Sequence, residues 1–457
     1  MAFATLATYS EVLKTIYLPA VQEQLNHGTI LSDLLDVNEE DISGKDAKIE
    51  CHYGRSSGTG AIADGGSLPT ATYQKYITAT VPMRYMYGRI HVTGPTMAAT
   101  RDERGAYAKV LDSEIRGITR DLKMEVNRML WGCGWGLVAR WHSGDLNTAL
   151  NCPKKYRGNS AGGDCFGTTF GAKYLTERGD AVFHVVSGMS GTSATYTLGT
   201  TDIVGGAVDK SRTDYDIVTC GTDAGNPAEG DFFTRKSALA VWGAAGSAHR
   251  REMMGLRGIV TNTDMEDIAL VNATHAPPAA GDGLYVDSLQ GLTAASYSWW
   301  QAQVDVHASG RYAGQRALTL NLMDTMFDKV EEVAGKDYGP DLILTTRPLR
   351  REYTDLCRTD RRFVNTMTLD GGWKAIDYNG IPFTVDNDAI DGEIYFLTTK
   401  DLQIYRMSDY DWMDKDGAIL SRVSNKDAYE AILFRYAELG CRRRNSHGVL
   451  CDLAYTV

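Results

Sequence analysis

The sequence predicts an α+β fold, because helical periodicity and strand-type runs occupy separate stretches of much of the chain. Apolar residues recur at three- and four-residue spacing from Arg101 to Trp131, which indicates a long amphipathic helix. Short β-type runs separated by glycine, serine and threonine fill residues 133–310. From Ala317 to Tyr405 the pattern is typical of helix, strand, helix and hairpin in succession. Helices packed against sheets account for all three patterns.

The composition is that of a globular protein that encloses more than one core. The chain has 457 residues, of which 43% are hydrophobic and 23% are charged, enough for roughly two or three cores. The formal net charge is -11 and the pI is near 5.4. Because neutralising phosphates requires a basic face, these values argue against a dedicated nucleic-acid binder.

The spacing of cysteine and histidine predicts neither a metal site nor a cofactor site. The eight cysteines include no Cys-x-x-Cys pair, and the nine histidines show no His-Glu-x-x-His arrangement. We therefore expect reduced, buried cysteines and no cofactor. The amino terminus lacks a basic segment followed by an apolar core, and no run approaches the roughly 20 apolar residues of a membrane span. Cytosolic synthesis without membrane insertion is expected.

The first 98 residues are predicted to hold a short surface helix, an extended arm and a long hairpin. An acidic run from Asp36 to Asp46 closes the arm. Glycines between Gly54 and Gly66 make the following chain flexible. Tyr76–Val92 then alternates as one strand, in which Pro82 requires an edge or a bulge. A two-stranded hairpin is not stable alone in water, so this one needs a partner surface.

Residues 311–457 are predicted to form an α/β core followed by long strands. A helix that ends at Gly335 precedes the apolar strand Leu342–Thr345, and a second helix opens near Pro348. A hairpin around Tyr378–Phe383 follows. Alternation from Asp427 to Leu439 then predicts a long strand.

Two matches to the nucleophile-elbow pattern are interpreted as chance. They lie at residues 54–58 and 158–162, and neither has the buried strand before the serine and the helix after it that the elbow requires. The acidic cluster Asp386–Glu393 has calcium-type ligands at the wrong spacing and is predicted to form a turn. No catalytic, cofactor-binding or metal-binding residue is assigned, and the chain is predicted not to be an enzyme.

The order of elements from Ala317 to Tyr405 resembles the A-domain of tailed-phage major capsid proteins of the Hong Kong 97 type. The long helix that follows a glycine-rich hairpin is similar to that family's spine helix. The resemblance implies an α+β, Hong Kong 97-like capsid fold with a β-rich insertion in the A-domain region. Its implied segments are an N-terminal arm (1–44), an E-loop with flanking P-domain strands (45–98), the P-domain spine helix (99–132), the A-domain start with the insertion (133–310), the A-domain core (311–400), and P-domain strands with a closing A-domain strand (401–457).

The same resemblance implies a structural protein that assembles into hexamers and pentamers of an icosahedral head. Such a protein is made in the host cytoplasm, ends in the virion and encloses DNA without sequence-specific binding. Portal, scaffolding and decoration proteins are its implied partners.

Alternation near the hairpin predicts an apolar face for a neighbouring subunit, with arginines that pair with the neighbour's carboxylates. The predicted inter-subunit residues are Val81, Met83, Arg84, Tyr85, Tyr87, Arg89, Arg361 and Arg362. The last two belong to a basic run that begins at Arg347, and a second run spans Arg442–Arg444. For both runs we expect salt bridges to neighbouring subunits, with contact to DNA as the alternative.

Two further interpretations stay open. An encapsulin nanocompartment shell shares the fold, but this chain carries more inserted sequence than such a shell needs. A secreted glycan-binding or hydrolytic β-domain protein would explain the glycine-rich centre and the Trp299–Trp300 pair. The missing signal segment and the helix at residues 101–131 count against it.

Overall fold

The computed structural model describes most of the chain as two compact units. The described residues are 30–99, 110–132, 134, 137–140, 149–153, 173–174, 181–190, 193–203, 208–209, 211, 215–219, 232–235, 252–262, 289–294, 296–308, 315–335, 338–359, 366–368, 374–414 and 419–455. Among them, the first unit lies within Tyr87–Met124 and Tyr410–Arg435, and the second within Gly28–Met86, Glu125–Asp409 and Tyr436–Val457.

Helices stand singly or in pairs between runs of strands along the described residues, as in an α+β fold. The helices are α1 (Ile30–Leu34), α2 (Gly94–Ala99), α3 (Val110–Trp131), α4 (Leu256–Ile259), α5 (Leu320–Ala334) and α6 (Arg347–Thr359). The strands are β1 (Asp36–Asn38), β2 (Ile42–Ser43), β3 (Asp46–Gly54), β4 (Lys75–Pro82), β5 (Arg84–Thr93), β6 (Leu137–Arg140), β7 (Ala149–Pro153), β8 (Ala181–Ser190), β9 (Ser193–Ile203), β10 (Tyr215–Thr219), β11 (Phe232–Arg235), β12 (Gln303–Asp305), β13 (Leu342–Thr345), β14 (Thr366–Thr368), β15 (Lys374–Tyr378), β16 (Ile381–Val385), β17 (Ile394–Leu397), β18 (Leu402–Trp412), β19 (Ser421–Arg422), β20 (Ala428–Cys441) and β21 (Gly448–Leu450). None of these described helices combines the length and apolarity of a membrane span.

The core of the second unit is a seven-stranded sheet in the order β12-β21-β17-β13-β16-β15-β14. Strands β13 and β17 are buried at every position, which explains why they are continuous apolar runs rather than alternating ones. Helices α5 and α6 pack on the sheet through one cluster that includes Met326, Val330, Tyr353 and Phe383. The helix, strand, helix and hairpin predicted from Ala317 to Tyr405 are therefore confirmed as elements.

The ends of helix α5 follow from two local signals. The Thr319 hydroxyl accepts a hydrogen bond from the Leu322 N–H at 3.2 Å and caps the first turn. Gly335 ends the helix with φ of 88°, a left-handed backbone that favours glycine.

The packing of α5 on β21 depends on Gly448. A Cβ on Gly448 would lie 2.7 Å from Val330 Cγ2 of the helix. Glycine at this position allows α5 to approach β21 closely.

The first unit is built around the amino-terminal part of α3. Leu122 is buried and Ile115 is half-buried, on the stripe that the sequence predicts. A Cβ on Gly88 would lie 2.8 Å from Ile118 Cγ1, so the missing side chain lets β5 pack directly against the helix. The Arg435 guanidinium donates to the Tyr410 hydroxyl at 2.6 Å and lies over the Tyr410 ring.

Replacing Leu122 with aspartate should destabilise the subunit by about 3 kcal/mol, because the substitution removes a buried apolar side chain and buries a carboxylate. Chemical denaturation of the unassembled subunit measures this loss. Lys123→Asp, which changes the exposed neighbouring position, is the control and should shift the unfolding free energy far less. Equal stability of Leu122→Asp and wild type would show that this helical face is not part of a core.

The single strand predicted from Tyr76 to Val92 is in fact two strands, and this prediction was wrong. Strand β4 lies at the edge of a three-stranded sheet, β2-β3-β4, whereas β5 pairs with β20 in another sheet. The break falls at Met83, directly after Pro82, which has no N–H to continue a ladder. The Met83 N–H donates instead to the Lys45 carbonyl at 3.3 Å.

The regular elements described between residues 137 and 235 are all strands. They form a four-stranded antiparallel sheet, β6-β11-β8-β9, and a two-stranded sheet, β10-β7. A β-rich insertion was predicted for this region from its short β-type runs. The other sheet of the molecule has the order β1-β18-β20-β19, with β5 also paired to β20.

Candidate functional site

The hairpin formed by β3 and β4 is buried near its base, at Ala47 and Val81, and carries a distal excursion, residues 55–74, in which no residue is buried. Its register runs from Asp46 opposite Pro82 to Gly54 opposite Lys75. Beyond that pair, the Ser57 N–H donates to the Thr72 hydroxyl at 2.7 Å and the Ser56 hydroxyl donates to the Thr72 carbonyl at 2.9 Å. These hydrogen bonds hold the two arms of the excursion together without any buried apolar cluster.

The distal part of the hairpin exposes large apolar side chains. Leu68 is 81% exposed and Tyr73 is 79% exposed, and Ile62, Tyr76 and Tyr53 are exposed as well. Apolar groups so concentrated on one projecting segment mark an interaction surface rather than ordinary surface scatter. We call Ile62, Leu68, Tyr73 and Tyr76 the distal apolar surface; Tyr53 is 37% exposed and stacks on Trp299. Sequence reasoning placed the contact face further along the chain and missed them. The signal was present, since bulky apolar residues interrupt a segment otherwise rich in glycine, serine and threonine.

Val81 and Met83 do not lie on an exposed face, so the prediction that they contact a neighbouring subunit is corrected. Val81 is fully buried and Met83 is nearly so, in a cluster with Ala47 and Tyr405 inside the same subunit. The Tyr405 ring occupies the space beside Gly440, where a Cβ would lie 2.4 Å away. The chain changes sheets at Met83, so the alternation of β4 does not continue into β5.

Tyr85 and Tyr87 are exposed aromatic members of the predicted set. Both are about half exposed, because odd positions of β5 point away from the buried Met86. Tyr85 also meets the ring of Tyr436 edge-on at 5.1 Å between centroids. The contact of Tyr85 and Tyr87 with another subunit stays a prediction.

The arginines predicted to pair with a neighbour have carboxylate partners within their own chain. Arg84 Nε lies 3.1 Å from Glu438 Oε2, and Arg89 pairs with Glu430. Because the chain is acidic, an arginine can find a carboxylate partner within its own subunit. The alternation of residues along a strand does not reveal such a partner. Arg361 and Arg362 lie outside the described residues.

The basic run Arg442–Arg444 is likewise tied into the subunit. Arg442 lies 3.3 Å from Asp41, and the Arg443 guanidinium lies over the Tyr338 ring. Arg444 is fully buried and donates from Nε to the Ile259 carbonyl at 2.7 Å. The expected pairing of this run with neighbouring subunits or DNA is therefore not available to Arg444.

A groove of about 850 Å³ lies beside the hairpin base. Its walls carry both signs of charge and several aromatic rings, and one of these, Trp299, stacks on Tyr53 with centroids 5.4 Å apart. Ser56, the serine of the chance elbow match at residues 54–58, sits on the exposed excursion and bonds to Thr72, and no described helix follows it directly. Among the described residues no group of histidine, cysteine, aspartate and glutamate is arranged to hold a metal.

The acidic cluster that begins at Asp386 forms a hydrogen-bonded turn, as predicted. Asp386 accepts from the Leu31 N–H at 3.1 Å, and Asn127 Nδ2 donates to Asp388 at 2.7 Å. Burial alone would raise the pKa of Asp388, but Lys173 at 2.6 Å, with Asn127 and Tyr174, holds that pKa below its ordinary value. The cluster joins α1 and the end of α3 to the sheet through protein groups.

Glu438 is a buried carboxylate behind the hairpin base. Besides Arg84, it accepts hydrogen bonds from the Met254 N–H at 2.6 Å and the Leu439 N–H at 3.0 Å. The pKa of Glu438 is raised to about 7, because burial raises it by more than Arg84 and the two backbone donors lower it.

Glu438 should make the unassembled subunit less stable as pH rises from 4.5 to about 7. In this window the carboxyl keeps its proton in the native state but releases it in the unfolded chain. The stability that Glu438 contributes is therefore fully present below pH 4.5 and is lost as the pH rises through the pKa of the folded state. The change should reach about 3 kcal/mol. Denaturant unfolding at several pH values should show a shallower dependence for Glu438→Gln, while Glu50→Gln, at an exposed position, should keep the wild-type slope. Identical slopes for Glu438→Gln and wild type would contradict this assignment.

Comparison with known proteins identifies the fold. No protein-family model and no curated protein sequence matches the chain. The capsid asymmetric unit of cyanophage A-1(L) aligns with a TM-score of 0.55 at 13% identity, over 98% of this chain and 99% of that chain. The capsid of Myoviridae phage XM1 aligns with a TM-score of 0.46 at 6% identity, over 97% and 98% of the two chains. The holo-SrpI encapsulin complex from Synechococcus elongatus PCC 7942 aligns with a TM-score of 0.44 at 9% identity, over 100% and 99%. On the cyanophage match, the chain has the mixed α/β fold of a phage capsid protein, and the predicted resemblance is confirmed at the level of the fold.

Proposed function

We propose that this chain is the major capsid protein of a tailed bacteriophage and assembles into the icosahedral shell around its genome. One observation carries the proposal: a subunit with a capsid-type fold has a hairpin whose distal apolar side chains are exposed among the described residues. Leu68 and Tyr73 are almost fully exposed in the single chain. Burying them against another copy gains the hydrophobic free energy that the isolated subunit leaves unused.

The proposal assigns the elements to the Hong Kong 97 plan. The hairpin of β3 and β4 is the E-loop, α3 is the spine helix, and β18 and β20 are P-domain strands. The seven-stranded sheet with α5 and α6 is the A-domain core, and the strands between residues 137 and 235 are its insertion. The order of these elements along the chain and the capsid-type fold support this assignment.

In this proposal the subunits form hexamers and pentamers, with portal, scaffolding and decoration proteins as further partners. Assembly takes place in the host cytoplasm and the product is the virion. A net charge of -11 suits a wall that encloses DNA without holding it by sequence-specific contacts. No catalytic step is assigned to the chain. The hydrogen-bonded, exposed setting of Ser56 supports a structural role.

Sedimentation and electron microscopy of the purified chain test the proposal. With or without a co-expressed scaffold, the protein should form species far larger than the 50.1 kDa chain, including closed particles. In DNA-filled virions of the phage that encodes it, mass spectrometry should find this chain as the most abundant protein. A strictly monomeric protein at high concentration would refute the shell. Closed particles that hold protein cargo and no genome would favour the encapsulin alternative.

A further inference from the structure

Helix α5 presents an acidic face to solvent. Asp328 and Glu332 are exposed and Glu331 is half-buried, opposite the buried stripe of Met323, Met326 and Val330, which the core cluster contains. None of the three carboxylates forms an ion pair with another described residue. The basic residue of this helix, Lys329, is already engaged with Asp305 at 3.3 Å. The acidic face therefore lacks counter-charges within the described subunit.

Helix α6 presents the opposite charge. In the first turn and a half of this helix, Arg347 and Arg351 are exposed and Arg350 is half-buried. None of these three arginines forms an ion pair with another described residue, whereas Arg358 further along pairs with Asp355 at 3.0 Å. Burial and the neighbouring Arg347 both lower the pKa of Arg350, as expected for guanidinium groups crowded together without carboxylates.

The two charged faces lie toward opposite ends of one sheet. Helix α5 packs on β12 and β21, the first two strands in the sheet order, and α6 packs on β16, near the other end. Both helices join one core cluster, and Tyr378 links them by bonding to Asp324 of α5 and stacking edge-on with Tyr353 of α6. The subunit thus carries opposite charges over different strands of one sheet, and among the described residues no ion pair joins Asp328, Glu331 or Glu332 to the arginines of α6.

We propose that the arginines of α6 in one subunit contact the acidic face of α5 in the next, as a head-to-tail interface that closes the capsomer ring. The proposal rests on the proposed function and specifies which surfaces meet. A contact between two different patches of identical chains is heterologous, and repeated by rotation it generates a ring. Arginine suits this role, because its planar guanidinium binds carboxylates in a bidentate manner.

A second copy fits these faces better than nucleic acid does. Phosphates would satisfy the arginines but leave the carboxylates of α5 without cations, whereas another subunit supplies both charges at once. The overall charge of -11 also disfavours contact with a phosphate backbone.

Charge reversal tests the interface. One variant carries Arg347→Glu and Arg351→Glu, the other carries Asp328→Lys and Glu332→Lys, and all four positions are exposed, so each variant should fold as wild type does. Arg422→Glu with Lys426→Glu, exposed positions elsewhere, is the control that matches the charge change of the first variant. Sedimentation of each gives the concentration at which half of the protein assembles.

Each reversed variant alone should require at least about tenfold more protein to assemble, because like charges then face each other. In about 1 M salt the difference should shrink, since the screening length falls to about 3 Å. An equal mixture of the two variants should form capsomer rings again at the wild-type concentration, although not closed icosahedral shells. Because the mixed interfaces require strict alternation, restored rings should be even-numbered, with hexamers but no pentamers.

Several results would overturn the inference while leaving the proposed function intact. They are wild-type assembly by either reversed variant, failure of the mixture to recover, and an equal defect in the control. Unchanged assembly with loss of co-purifying nucleic acid only from the Arg347→Glu, Arg351→Glu variant would identify phosphate as the partner instead. If wild-type protein itself forms no large species, the proposed function fails, and with it this inference.

Discussion

A variant in which residues 55–74 are replaced by a short Gly-Ser turn should fold normally and fail to form stable shells. The segment contributes exposed side chains and hydrogen bonds that stay almost wholly within it, such as those of Ser56 and Ser57 with Thr72. Removing it keeps the Gly54–Lys75 pair of the hairpin. The free energy of unfolding should therefore change by no more than about 1 kcal/mol.

Assembly should be lost because the distal apolar surface is lost. Ordering a glycine-rich excursion costs conformational entropy, which burial against a neighbour offsets. Circular dichroism and thermal melting measure folding, while sedimentation and electron microscopy measure assembly. In wild-type protein, a protease should cut this segment first in the free subunit and much more slowly in the shell.

A full-length variant distinguishes the effect of losing the apolar side chains from the effect of shortening the segment. Ile62→Ser, Leu68→Ser and Tyr73→Ser together keep the backbone but remove the exposed apolar groups. We expect this variant also to fold without forming stable shells. Outright unfolding of the truncated variant would place the segment in the subunit's own core. Normal assembly of either variant would disprove the E-loop assignment.

Replacing Arg444 with methionine should destabilise the subunit by about 5 kcal/mol. The guanidinium is fully buried and donates to the carbonyls of Ile259 at 2.7 Å, Trp300 at 3.3 Å and Gly258 at 3.5 Å. Methionine fills similar space but donates no hydrogen bond, so buried carbonyls of two separate segments lose their partner.

The neighbouring arginine supplies the control. Arg443 is about 40% exposed, lies over Tyr338 and is 4.0 Å from Asp401, so Arg443→Met should cost less than about 1 kcal/mol. Equilibrium denaturation of unassembled subunits compares the two. Similar stability of Arg444→Met and wild type would show that the buried guanidinium does not hold these segments together.

Sequence reasoning succeeded where one element buries one face along its own length. The helix at α3, the two helices around β13, and the hairpin of β15 and β16 all show a local period or a local stop signal, such as Gly335. The resemblance in element order led to the capsid-type fold. Periodicity depends on neighbours three or four positions away, so the chain itself carries that information.

Sequence reasoning failed at the contact residues, because their environment is set by strands distant in the chain. Val81 looked available but is buried against Tyr405, more than 300 residues away. Arg84 and Arg89 looked available for a neighbour, yet Glu438 and Glu430 of the same chain pair with them. Alternation shows which residues share one side of a strand. It does not show which segment of the chain covers that side.

The sequence by itself thus determined the element types, the absence of metal-ligand spacing, and a glycine-rich hairpin that needs a partner surface. Only the tertiary structure decided which of three consecutive arginines is buried and which apolar side chains of the hairpin remain uncovered. Both questions depend on burial, and burial arises from segments that meet in space after long loops have closed.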